Sequence, residues 1–157
     1  MKLMTEERIR GFEVVPDEYR VYPDEKIKLP CRATKSSACY DVFSPVDLYI
    51  APNSCSMVAT DIRAYMQSNE VLLAFPRSSM GKIPMRLCNG TGVIDADFYG
   101  NEKNGGNISV MLQNMSDHVV EIKKGERLCQ MMFTFYMITD DDYADTIRTG
   151  GIGSTGA

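Results

Sequence analysis

Short apolar segments cut by turn residues run through most of this chain, and no stretch repeats its apolar residues at helical spacing for long. Leu48 to Ile50, Met57 to Ala59, Val71 to Phe75, Ile83 to Leu87, Val93 to Asp97, Ile108 to Gln113 and Val119 to Ile122 each have the length of a strand. Pro45, Pro52, Asn53 and the Lys-Lys-Gly run at residues 123–125 mark turns between them. Residues 12–15, 27–30 and 42–44 read as further short strands, and the apolar run from Leu128 to Ile138 reads as a long central one. This pattern predicts an all-β fold, a jelly-roll-like barrel of short strands with at most one short helix, a single turn near residues 78–82.

At 157 residues the chain is long enough for one domain with a real core. We divide it into an N-terminal extension at 1–25 that wraps the barrel, a β-barrel core at 26–139, and a linker with a mobile Gly-rich arm at 140–157. No apolar run approaches the ~20 residues needed to span a bilayer. The first ten residues hold no apolar signal core, which argues against secretion. With net charge −4 and no basic stripe, a nucleic-acid polymer is a poor partner, although a mononucleotide needs only a few focused arginines.

The five cysteines are scattered and none forms a C-x-x-C pair, so they read as buried apolar thiols of a cytoplasmic protein. The one histidine, His118, falls in a turn-like run and reads as a surface residue. That scarcity disfavours a Ser-His-Asp triad and a His/Cys zinc site, leaving carboxylates, arginines, hydroxyls and backbone amides, with a hard metal such as Mg²⁺.

The stretch NGTGVIDADFYG at residues 89–100 holds most of the chemical promise. Turn formers open it, two carboxylates follow the apolar pair Val93 and Ile94, and Phe98 lies close behind. In a strand Asp95 and Asp97 would share one face, a pair of carboxylates beside a ring. That suits general-base chemistry near a flat ligand, and equally a solvated polar hairpin. PRSSMG at 76–81 places an arginine and two hydroxyls after a strand, which suits either a phosphate or a helix cap at Ser78. Gln130, in GERLCQ at 125–130, enters an apolar strand as a polar residue in need of a partner. In RTGGIGSTG at 148–156 the glycines let backbone N–H groups turn toward an anion, and Arg148 and Ser154 add donors. Without a lysine after the glycines it is not a Walker-type loop.

These four segments, with ACYDVFS at 38–44, resemble the motifs of the trimeric dUTPase family in the same order, from residue 38 to residue 156. The resemblance implies hydrolysis of dUTP to dUMP and pyrophosphate with Mg²⁺, which limits uracil in DNA and supplies dUMP for dTMP synthesis. It assigns Asp95 as the general base that orients the attacking water. Asn89 and the backbone of Gly92, Val93, Ile94 and Asp95 would read uracil, and Phe98, where the family usually has Tyr, would pack on the deoxyribose. Arg77, Ser78, Ser79 and Gln130 would hold phosphates, and Asp41 would face the metal through water. Arg148, Gly150, Gly151, Ile152, Gly153 and Ser154 would form an arm closing over the triphosphate, with Ile152 in place of the usual stacking ring. The resemblance further implies a homotrimer with shared sites: phosphate motifs from one chain, the Asp95 hairpin from a second, the arm from a third. Three further features depart from the family pattern: the extension, Cys39 in place of a usual Gly, and an insertion at residues 101–107 that reads as a long hairpin tip. Two other readings of the scaffold are a dCTP deaminase, whose base would be a Glu where this chain has Tyr99, and a catalytically idle regulatory protein.

Overall fold

The computed structural model describes residues 7–152, and it is built from strands and three single-turn 3-10 helices, with no α-helix among the described residues. The strands are β1 (Gly11–Val14), β2 (Tyr40–Phe43), β3 (Leu48–Ile50), β4 (Cys55–Ala59), β5 (Ile62–Tyr65), β6 (Glu70–Phe75), β7 (Met85–Leu87), β8 (Gly92–Asp95), β9 (Ser109–Asn114), β10 (Val120–Ile122) and β11 (Arg127–Phe135). The helical turns cover Asp17–Tyr19, Ser78–Lys82 and Ala96–Phe98. A four-stranded sheet runs β2-β11-β6-β8 and a three-stranded one runs β4-β9-β7, while β1 pairs with β5 and β3 with β10. Every pairing of these strands is antiparallel, in keeping with an all-β jelly-roll-like fold.

Alternation along the strands sets the core. In β6 Glu70, Leu72 and Ala74 face inward, and in β9 Val110, Leu112 and Asn114 do so. Leu72, Leu112, Ile50, Leu128 and Met131 are almost wholly shielded, each contributing roughly 1.5–3 kcal/mol of apolar burial. The inward Asn114 is satisfied, since its amide donates to the carbonyls of Ile50, Ala51 and His118. That bond to His118 shapes the turn after β9 and leaves the imidazole at the surface, as its sequence context predicts.

Several local expectations are corrected. Residues 27–30 form no strand, because pairing starts only at Cys31, whose backbone bridges Asp41. The long apolar run is a strand only to Phe135; Tyr136, Met137 and Ile138 extend exposed beyond it. β8 ends at Asp95 and a 3-10 turn takes over, so Asp95 and Asp97 are not alternate residues of one strand. Cys31 and Cys55 are exposed thiols, and only Cys129 is fully buried, where loss of water pushes its thiol up to about 12.

The N-terminal extension supplies β1, which lies along β5, a strand not foreseen in the sequence. Beyond β1 it meets the insertion at 101–107, which is a compact loop rather than a projecting tip, with Asn101, Gly105, Gly106 and Asn107 buried. Gly105 has φ +64, and a Cβ there would lie 2.4 Å from the Tyr19 ring. Asp61, wholly buried and itself in the left-handed region, joins the two segments. Its carboxylate accepts from the Val21 and Tyr22 amides and from Asn107 Nδ2, at 2.9, 2.8 and 2.8 Å. Asp61→Ala strands these donors and should lower the unfolding free energy by about 3 kcal/mol or more, measured by urea titration, whereas loss of a surface carboxylate such as Asp117 should stay within about 0.5 kcal/mol.

Candidate active site

The hairpin that follows β7 is divided between two sheets. β7 stays with β9, while β8 crosses to the edge of the β6 sheet. Gly90, at φ +68, lets the chain make this turn without strain. The parting leaves a cavity of about 230 Å³ between β8 and β9. Asn89, Gly92, Val93, Ile94, Asp95 and Phe98 line one side, Ile108 to Met111 the other, and Ala74, Leu87 and Met131 lie among the remaining lining residues. Because β8 is an edge strand, its outer backbone N–H and C=O groups have no strand partner among the described residues and can read the edge of a flat polar ligand. Gly92 is fitted closely, since a Cβ there would meet the Ala74 Cβ at 3.1 Å.

Asp95 sits where β8 gives way to the turn, with its side chain about half exposed. Phe98, at the end of that turn, is buried and forms part of the cavity wall. The arm comes back to this place. Arg148 donates from Nη2 to Asp95 at 2.6 Å and from Nε to Asp97 at 2.8 Å, with its guanidinium carbon 5.8 Å from the Phe98 ring centre. Gly150 and Gly151 are buried, a Cβ on Gly151 would lie 3.6 Å from the Asn104 amide, and Ile152 lines the cavity. Gly153 and Ser154 lie outside the described residues. In this chain the arm therefore rests on its own hairpin, drawn there by two adjacent carboxylates. Asp97 as the second anchor of Arg148 escaped the sequence reading, because an apparent strand gave the pair no turn to converge on.

The phosphate-side residues gather elsewhere. Arg77 donates from Nε to Asp41 at 3.0 Å and from Nη1 to the Ser79 hydroxyl at 3.2 Å. Arg127 holds the other Asp41 oxygen at 3.1 Å. Gln130, flanked in register by Asp41 of β2 and Phe75 of β6, donates to the Pro76 carbonyl at 3.0 Å. The helical turn starts at Ser78, so the capping position belongs to Arg77 and the exposed Ser78 is no cap. Two of the roughly four acceptor positions of the Asp41 carboxylate are used by guanidinium groups, which leaves it able to accept from water. Among the described residues no group of three or more His, Cys, Asp or Glu side chains could cage a metal.

The two clusters lie apart within one chain. Asp95 pairs with Val71 at the start of β6, whereas Arg77 follows the far end of that strand. Six residues of extended chain separate these levels by roughly 20 Å. Of the expected site residues, Asn89, Gly92, Val93, Ile94, Asp95, Phe98, Arg148 and Ile152 meet at one cavity, and Asp41, Arg77, Ser79 and Gln130 meet at the other end of β6.

Comparison with known proteins points to a single family. The dUTPase family profile matches residues 25–156. The chain is 40% identical over 153 residues to the deoxyuridine 5'-triphosphate nucleotidohydrolase of Lactococcus lactis, a match spanning 96% of this chain and 99% of that one. The mouse protein of the same name is 32% identical over 137 residues, covering 84% of this chain and 80% of its own. Among solved structures, the dUTPase from Streptococcus mutans superposes with a TM-score of 0.74 at 36% identity, covering 83% of this chain and 98% of that one. A dUTPase from phage phi11 of S. aureus, which coordinates a structural Mg(II) ion, shares the fold with a TM-score of 0.65 at 18% identity, covering 88% of this chain and 98% of its own. The cavity beside the divided hairpin and the motifs around it thus belong to a chain that is a member of the dUTPase family.

Proposed function

We propose that this protein hydrolyses dUTP to dUMP and pyrophosphate, with Asp95 as the general base. The observation that carries the reading is the position of Asp95: a half-exposed carboxylate at the mouth of a cavity walled by an open backbone edge, in a dUTPase-family chain. Uracil would enter the cavity between β8 and β9. Asn89 offers both a donor and an acceptor to its mixed edge, and backbone groups of β8 complete the readout. The deoxyribose would lie against Phe98, whose ring would leave no space for a 2′-hydroxyl. Asp95 would take the proton of a water as its oxygen bonds to the α-phosphorus and the bond to the pyrophosphate oxygen breaks. Asp95→Asn should lower pyrophosphate release from dUTP by roughly 10²-fold or more while a non-hydrolysable dUTP analogue still binds. Near-normal turnover in the folded variant would remove Asp95 from this role.

Phosphate binding would fall to Arg77, Ser78, Ser79 and Gln130, with Asp41, itself held by Arg127, orienting the Arg77 guanidinium. Mg²⁺ would arrive on the triphosphate and supply charge neutralisation there, and Asp41, with acceptor capacity left over, fits a contact through the ion's water shell. Free thiols, two of them exposed, support a reducing cytoplasmic setting.

The separation of roughly 20 Å along β6 supports a homotrimer in which Arg77 of one subunit completes the Asp95 site of another. Arg77→Ala and Asp95→Asn chains, each inactive alone, should recover activity when unfolded and refolded together. Random mixing at equal amounts restores roughly a quarter of the sites if the residues come from different subunits, and none if they come from one.

The arm would close over the triphosphate, with Arg148 passing from Asp95 and Asp97 to phosphate oxygens and the glycines turning N–H groups toward them. The last strand ends at Phe135, so removing residues 147–157 deletes no strand. The melting temperature should move by only a degree or two (~2 °C), while turnover collapses as water gains access to the phosphates, and full activity in the shortened chain would rule out this role.

A further inference from the structure

The N-terminal strand lies outside the residues matched by the family profile, yet it grips the segment that carries Asp95. Glu13, on β1, accepts from the Tyr99 hydroxyl at 2.9 Å. The same oxygen accepts from Arg63 Nε at 3.1 Å, and the other accepts from Arg8 at 2.9 Å. Arg63 also stacks over the Tyr99 ring, with its guanidinium carbon 4.4 Å from the ring centre. Burial opposes the charge on Glu13, but the bonds from Tyr99 and Arg63 together outweigh it and hold its carboxyl below the ordinary value. Tyr99 is shifted the other way, by burial and by its bond to that carboxylate. A charged acceptor thus meets a neutral phenol, the stronger kind of hydrogen bond.

Tyr99 is the residue after the 3-10 turn Ala96–Phe98, and Asp95 is the residue before it. The turn leaves the β6 sheet at Asp95, so ladder bonds hold only its beginning. Its other end is held by Tyr99, and by Asn101, whose amide donates to the Phe98 carbonyl at 2.8 Å. Among the described residues the Asp95 carboxylate itself is paired only with Arg148, a residue of the arm that must give way to substrate. Where Asp95 points once Arg148 has gone is then decided by the backbone of this turn.

We propose that Glu13 and Tyr99 are positioning residues for the reaction: the N-terminal strand, through one hydrogen bond, fixes the turn that aims Asp95 at the attacking water. The proposal rests on Asp95 acting as the base. It predicts a larger cost in turnover than in binding, because no β1 residue lines the uracil cavity and, of the turn Ala96–Phe98, only Phe98 does.

The test uses Glu13→Gln, Tyr99→Phe and the double variant in the full chain, with steady-state pyrophosphate release from dUTP and thermal melting measured side by side. Each single change should lower kcat roughly tenfold, short of the ~10²-fold that a full 1 Å misplacement can cost, with KM within about twofold. The double variant should be no slower than the slower single, since Glu13→Gln takes the charge from, and Tyr99→Phe the donor of, one and the same hydrogen bond. Tyr99→Phe keeps the ring that Arg63 covers, so its melting temperature should stay close to that of the unaltered chain. Introduced into Asp95→Asn, Tyr99→Phe should leave the residual rate unchanged, because there is no base left to aim. If kcat is unchanged in both single variants while Asp95→Asn is inactive, the positioning role is wrong and the assignment of Asp95 stands. If the two losses add, or follow the melting temperatures, the contact only braces the fold. If Asp95→Asn itself turns over normally, the assignment of the base fails, and this proposal with it.

Discussion

The antiparallel pairing of β8 with β6, while its sequence neighbour β7 stays with β9, is the constraint on which the site depends. A hairpin whose strands bonded to each other would close its own backbone groups and leave no space. Here the two strands are held apart by stronger ladders on either side, and the gap between them is the cavity. The apolar residues on the inner faces of β6 and β9 keep those ladders in register, since a slip by one residue would turn Leu72 and Leu112 out to solvent. Core packing and site geometry are therefore one problem, solved by the same alternation.

Charge is distributed around the cavity in a way that suits a polyanionic ligand. Asp95 and Asp97 would repel a triphosphate if left bare, and Arg148 covers both. Both carboxylates remain more than half exposed, so water screens these pairs and phosphate oxygens can compete for the guanidinium. At the other end of β6 the pattern is inverted. Asp41 lies between Arg77 and Arg127, so one carboxylate orients two cations and leaves the cluster with net positive charge for an anion.

Much of this was legible in the sequence, for reasons that differ by element. Strand positions such as Val71 to Phe75 and Ile108 to Gln113 follow from local apolar patterning, which needs no knowledge of partners. Asn89, Asp95, Arg77 and Gln130 could be nominated from the sequence because the motifs carry side-chain chemistry in a fixed order. What stayed hidden depends on long-range pairing. β5 is only four residues long, and its partner β1 lies some fifty positions earlier, in a segment with no family pattern to guide it. The pairing of Arg148 with Asp97 requires the 3-10 turn, which replaces the expected continuation of β8. Arg127 meets Asp41 only because β2 lies beside β11, a pairing that local patterning does not reveal.

The contact between Gly105 and Tyr19 carries a consequence for how such a chain can change over time. With a prospective Cβ only 2.4 Å from the ring, any side chain at 105 demands a smaller residue at 19, and the positive φ at 105 resists the change as well. Asn107, one turn later, hands its amide to the Tyr19 carbonyl and to Asp61. The loop and the leading segment are thus a lock and its key. A recombinant chain that inherits one of them from a parent lacking the other receives either an empty groove or an unseated plug, so the two must travel together in any lineage or chimera that keeps this fold.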